Sequence, residues 1–207
     1  MSQLHKHFNV GCNFYRHLFM TRMLKNFSIT IYCLTLLISC GSTAKLYRPE
    51  STNRIYSGRL DDASNTTLRQ FLASRTPSSL KDTIIIKYDY NNKSCWELLD
   101  EKDDNYIQGF VTRHNERVQK VQATRPNVSL FDFREPGNNA NKIKKWNRSI
   151  IVDSTRQLMS LLFKERSICG NSIIVMPDKR FVFIRSDSHS EAMDLTQERL
   201  LEYLTKN

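Results

Sequence analysis

The most reactive side chains in this sequence of 207 residues are its five thiols, Cys12, Cys33, Cys40, Cys95 and Cys169. A cysteine becomes a nucleophile or a ligand when a helix N-terminus, a cation or a metal stabilises its thiolate. These spacings match no zinc-binding arrangement, and five is too few for a small disulfide-built scaffold. Cys95 is followed by Trp96, Glu97 and Leu98, so no second thiol lies one helical turn away. No His-x-x-x-His, clustered carboxylate set, Gly-rich phosphate loop or Gly-x-Ser-x-Gly elbow occurs. His114 falls on an apolar helical stripe and reads as a packing residue; His189, between two serines beside a helix start, reads as solvent-facing. Asp100, Asp103 and Asp104 form an acidic turn better explained as a solvated loop than as a cation site. Trp96 and Trp146 are read as buried or partly buried rather than as a ligand surface, and neither metal nor cofactor is expected.

Charge and hydropathy separate an address from a domain. No acidic residue precedes Glu50, and four basic ones (Lys6, Arg16, Arg22, Lys25) precede Cys40. They account for four of the net +10, leaving an ordinary surface and no case for a nucleic-acid partner. Phe27 to Ser39 is an apolar run shorter than the roughly twenty residues that span a bilayer, a length suited to a signal peptide. It ends in Leu37-Ile38-Ser39-Cys40, which resembles the lipobox of bacterial lipoproteins. That resemblance implies cleavage before Cys40, lipidation of its sulfur and acylation of its amine. Each buried methylene of the acyl chains would contribute about 0.8 kcal/mol to membrane anchoring. Gly41 rather than Asp at the next position implies an outer-membrane anchor facing the periplasm. Met1 to Met20 carries no signal pattern, so the true start is expected at Met20 or Met23, and His5, His7 and His17 form no metal site. Three segments follow: residues 1–39 as signal, 40–67 as a polar flexible tether, and 68–207 as the globular domain.

The domain must position Cys95 and Cys169 with elements of alternating type. Thr83 to Tyr88 is a β-branched run suited to a strand buried on both faces. Ile107, Phe110, Val111, His114, Val118 and Val121 recur at helical spacing and stop before Pro126. Val128 to Phe133 predicts a second strand, Asn139 to Trp146 a short helix and Ser149 to Val152 a third strand. Ser154 and Gln157 read as a capping box opening a helix through Phe163. Ser172 to Met176 and Phe181 to Ile184 flank the turn Pro177-Asp178-Lys179-Arg180 and predict a hairpin. Ser188 and Glu191 read as a further capping box, for a helix carrying Met193, Leu200, Leu201 and Leu204. A helix near Leu68 to Ser74 precedes them all. This alternation predicts an α/β layer fold with an antiparallel edge on a mixed sheet.

From Lys81 to Leu204 the order is similar to the thioredoxin-like fold in its peroxiredoxin-like form, a mixed sheet flanked by helices. The closest stretch runs from Ile150-Ile151-Val152-Asp153 through a helix to Gly170-Asn171-Ser172-Ile173-Ile174-Val175-Met176-Pro177-Asp178. Cys95, after the first strand and opening a helix, occupies the place of that family's reactive cysteine. The departures are the missing Cys-x-x-Cys partner, Gly170 where the family has a cis-proline, and no peroxidatic Pro-x-x-x-Thr-x-x-Cys. Fold therefore transfers better than activity.

The resemblance implies that Cys95 and Cys169 face each other. They could form a structural disulfide, pack as two free thiols, or act as a redox pair with Cys169 in the resolving role. In the last case Lys93 would favour the Cys95 thiolate and Glu97 would oppose it. The favoured reading is a membrane-anchored envelope lipoprotein with a degenerate domain that serves as a binding or accessory module for an unidentified protein partner. The alternative is a thiol–disulfide oxidoreductase, so enzymatic activity is left open.

Overall fold

The computed structural model describes residues 53–92, 95, 99, 101–137 and 147–206. The signal, the lipobox with Cys40, Lys93, Glu97, both tryptophans and the helix expected over Asn139–Trp146 lie outside them. The elements are β1 (Ile55–Arg59), α1 (Asp62–Ala73), β2 (Thr83–Asp89), α2 (Asp104–Thr124), β3 (Val128–Arg134), β4 (Ile151–Val152), α3 (Gln157–Leu162), β5 (Gly170–Val175), β6 (Arg180–Ile184), a 3-10 turn (Glu191–Met193) and α4 (Gln197–Thr205). Six strands make one mixed sheet in the order β1-β6-β5-β2-β3-β4. Strand β2 runs parallel to β3 and antiparallel to β5, β5 and β6 form the expected hairpin, and β4 is parallel to β3. With helices on both faces, this α/β arrangement is thioredoxin-like.

Period-two alternation assigns the two faces. Ile84, Ile86 and Tyr88 join Phe131, Phe133, Ile173, Val175 and Phe183 on one of them. Helices α1 and α3 cover this face through Leu68, Phe71, Leu72 and Leu158. Each such side chain stabilises the fold by roughly 1.5–3 kcal/mol when removed from water. Ile85, Ile174, Val182 and Ile184 point the other way and meet Ala192, Leu195 and Leu204. Ile107 and Val111 of α2 form a third cluster with Leu99 and Ile150. Asp61, Asp103 and Thr196 cap α1, α2 and α4 by accepting from Ser64, Tyr106 and Arg199 backbone N–H groups.

Several boundaries differ from expectation. Ordered structure begins before Leu68, inside the segment read as tether. Strand β1 pairs antiparallel with β6, from Ile55 opposite Ile184 to Arg59 opposite Arg180. Its five residues are too polar to announce a strand. The partner ladder and the Tyr56–Phe183 stack, with ring centroids 5.1 Å apart, supply what local propensity lacks. The third strand shrinks to Ile151–Val152. Neither capping box forms: Asp153 accepts from Met159 N at 2.9 Å beside α3, and Asp187 accepts from Glu191 N at 2.7 Å beside the 3-10 turn. A carboxylate held by the fold thus replaces Ser154 and Ser188 at both places. Leu201 and Phe110, expected inside, are 46% and 37% exposed.

Candidate functional site

The site begins where β2 changes from apolar to charged. Lys87 and Asp89 point to the same face as Ile85, because successive strand residues alternate sides. The parallel register places Asp132 beside Lys87 and Arg134 beside Asp89. On the other flank the antiparallel register brings Ser172 beside Lys87 and Gly170 beside Asp89. One corner of the sheet therefore presents two cations and two carboxylates side by side. Lys87 is ion-paired with Asp89, and Arg134 stands 3.9 Å from the same carboxylate. Lys87 and Arg134 are only 5% and 1% exposed. Withdrawing such ions from water costs several kcal/mol each unless partners compensate, so the clustering is a physical requirement.

Helix α2 lowers His114 onto this corner. Its Nε2 lies 2.7 Å from Asp132 Oδ2. That hydrogen bond raises the imidazole above its usual titration range; burial opposes the rise, and the Asp89 charge adds to it.

Cys95, in helical conformation, and Cys169, immediately before β5, meet at this corner. They form a disulfide with Cα atoms 5.4 Å apart across 74 positions of sequence. Both are partly exposed. Gly170 is what lets the strand end approach the ions: a Cβ there would lie 2.5 Å from both Lys87 Nζ and Asp89 Oδ1 and 2.8 Å from Tyr88 O. Its φ is ordinary, and no peptide bond among the described residues is cis.

The Cys169 loop is held by bonds other than the disulfide. Tyr90 N donates to Cys169 O at 2.8 Å. The Tyr90 hydroxyl donates to Glu165 O at 2.8 Å, and Asn171 Nδ2 donates to the same carbonyl at 2.8 Å. Arg166 forks onto buried Glu135 at 2.5 and 2.6 Å and stacks over the Tyr90 ring. Burial alone would raise the Glu135 carboxyl, but Arg166 and the Asn91 N–H outweigh it and hold it below the usual range. Burial drives the Tyr90 hydroxyl upward, so it stays a protonated donor.

Disulfide and ion cluster share one cavity of about 220 Å³. Lys87, Asp89, Asp132, Arg134 and His114 line its polar part, and Leu99, Phe110, Val111 and Ile150 its apolar part. His189, read as solvent-facing, also lines it between Ser188 and Ser190. Arg117 of α2 anchors that segment by donating to Ser190 O at 3.2 Å and to Asp194 Oδ1 at 3.0 Å.

Of the residues singled out in the sequence, Cys95 and Cys169 come together and His114 joins them, whereas Asp103 and Asp104 are exposed and far from any such role. Lys87, Asp89, Asp132, Arg134, Glu135 and Arg166 were missed. The one usable signal was a lysine and an aspartate on alternate positions inside a strand otherwise buried on both faces. Among the described residues no group of three or more His, Cys, Asp or Glu is arranged to hold a metal. No known protein family, curated protein or solved structure matches this chain, so its thioredoxin-like architecture stands on strand order and direction.

Proposed function

We propose that this chain is a lipid-anchored envelope protein whose domain carries out thiol–disulfide exchange at Cys95 and Cys169. The observation that carries this reading is the position of a partly exposed disulfide on a cavity floored by buried ions. A disulfide needed only as a staple has no use for a costly ion cluster beneath it. Moreover, the loop bearing Cys169 is already secured through Tyr90, Asn171 and Arg166, so opening the bond leaves Cys169 held at the cavity.

In the oxidising direction, a substrate thiolate attacks one sulfur of the pair, the S–S bond breaks, and the other cysteine leaves as a thiolate. The second substrate thiol then attacks the mixed disulfide. Substrate departs as a disulfide, the proton of its second thiol passes to the released cysteine, and the protein retains two electrons as one thiol and one thiolate at Cys95 and Cys169. Exposed Phe110 on the cavity wall and Ile168 beside Cys169, at 37% and 39%, offer apolar footing next to the sulfurs. The same two residues favour a second reading, a partner-binding module with an inert disulfide.

The lipid anchor at Cys40, in the outer membrane facing the periplasm, rests on the lipobox, and an oxidising periplasm suits a disulfide. Two experiments test these proposals. Mass mapping of the mature protein before and after mild reduction without denaturant should show Cys95–Cys169 opening and closing reversibly. A bond that yields only on unfolding would leave the binding module. Cys40→Ser should shift the protein from membrane to soluble fractions; unchanged partitioning would remove the anchor.

A further inference from the structure

Charge bookkeeping at the cavity leads to an inference that rests on the exchange reading and deepens it. Lys87 and Arg134 are offset by Asp89 and Asp132. When His114 carries its proton, this corner has one positive charge in excess. Opening the disulfide creates the matching need: two electrons and one proton give one thiol and one thiolate. We propose that His114, held by Asp132, supplies the positive charge that balances the thiolate formed when Cys95–Cys169 is reduced.

The geometry links the two sites in short steps. Asp132 bonds His114 at 2.7 Å and neighbours Lys87 in the parallel register. Lys87 and Asp89 then reach the point 2.5 Å from where a Gly170 Cβ would stand, one residue from Cys169. His114 responds to the Asp89 charge, so the imidazole and the ions beside the disulfide share one field. The charged and titratable groups that line the cavity with His114 are Asp132 and Arg134 from β3, Lys87 and Asp89 from β2, and His189 from the segment after β6. On its own helix, Arg117 opposes its protonation. His114 touches no reacting atom that the structure shows, and it acts as a positioning residue. Thermodynamic reciprocity makes the coupling two-sided: imidazolium stabilises thiolate, and thiolate stabilises imidazolium to the same extent.

The test uses the full chain and His114→Gln, which keeps an N–H donor for Asp132 but carries no charge. In the reduced wild-type protein, thiolate absorbance is expected to titrate below the ordinary cysteine range of about 8.5. His114→Gln should move that titration up about tenfold in proton concentration. Its redox potential should become more negative in step, by about 30 mV for a two-electron couple. In the wild type alone, the His114 imidazole should titrate at higher pH when the pair is reduced than when it is oxidised, a readout that needs no variant to fold. Unchanged thiolate titration, potential and imidazole response overturn the His114 role while leaving thiol exchange standing. A pair that cannot be reduced in the folded protein overturns both.

Discussion

Replacing Gly170 with alanine tests whether the ion cluster and the end of β5 are packed as tightly as their geometry requires. The new methyl would fall 2.5 Å from Lys87 Nζ and Asp89 Oδ1, and those side chains can swing away only by loosening a buried ion pair. It would also fall 2.8 Å from Tyr88 O, which belongs to the β2 ladder and moves only with the strand. Ordinary contact begins near 3.4 Å, so β2 and β5 would have to separate by several tenths of an ångström. Overpacking of this kind costs about 1–3 kcal/mol. Opposing it, removal of glycine freedom from the unfolded chain contributes about 0.4–1 kcal/mol, and the ordinary φ of Gly170 adds no strain. The expected net loss is about 1–2 kcal/mol, or more if Lys87 and Asp89 part. Urea unfolding of the oxidised protein should show a lower midpoint with an unchanged slope. Gly58→Ala provides the comparison, because its methyl would meet only the Phe181 ring at 2.8 Å on an edge strand, and a ring can tilt. The loss there should be smaller. Equal losses at both positions, or a Gly170→Ala protein as stable as wild type, would refute the claim that this corner is locked.

Glu135→Gln leaves Arg166 without its ion pair and should destabilise by roughly 1–3 kcal/mol, discounted because Arg166 is a quarter exposed. Because the folded Glu135 carboxyl is held below its unfolded value, its contribution is present above about pH 4.3 and fades as pH falls through the folded value; the variant should flatten that acid limb in urea titrations. His114 has the opposite sign: its raised value contributes stability that is complete below about pH 6.5 and lost as pH rises through the folded value, so His114→Gln should flatten the neutral-to-alkaline limb. Tyr90→Phe deletes the donor to Glu165 O and should cost about 1–3 kcal/mol and speed proteolysis of the Cys169 loop, most visibly after reduction. Removing the disulfide itself, by Cys95→Ser with Cys169→Ser, should cost about 4 kcal/mol in urea unfolding, because the bond across 74 positions acts by restricting the unfolded chain.

Much of the framework was legible along the chain. The Thr83–Tyr88 run, the helical spacing from Ile107 to Val121 and the hairpin around Pro177 all appear where local pattern put them. Each is a one-dimensional signal, carried by period, a breaker or a turn residue within one element. The α/β class and the mixed sheet follow from their order. The elements that failed are those whose stability comes from elsewhere. Strand β1 exists through its ladder with β6, and the ends of α3 and the 3-10 turn are set by Asp153 and Asp187 rather than by neighbouring serines.

The candidate site divides in the same way. Cys95 and Cys169 could be picked out by residue type, and their pairing by resemblance of fold. His114 could be placed on a helix face, but its role depends on Asp132, which only the α2–β3 packing brings to 2.7 Å. Lys87, Asp89, Asp132 and Arg134 look like unremarkable polar positions until register aligns two strands that are distant in sequence. Gly170 looks like a permissive residue until the pairing of β5 with β2 shows that its missing side chain is the room the ions occupy. The chain alone therefore determined those strands and helices whose signal lies within one element, because such preferences act between near neighbours. Tertiary structure decided the chemistry, because charge compensation, burial and sulfur proximity exist only between residues that the sheet brings together.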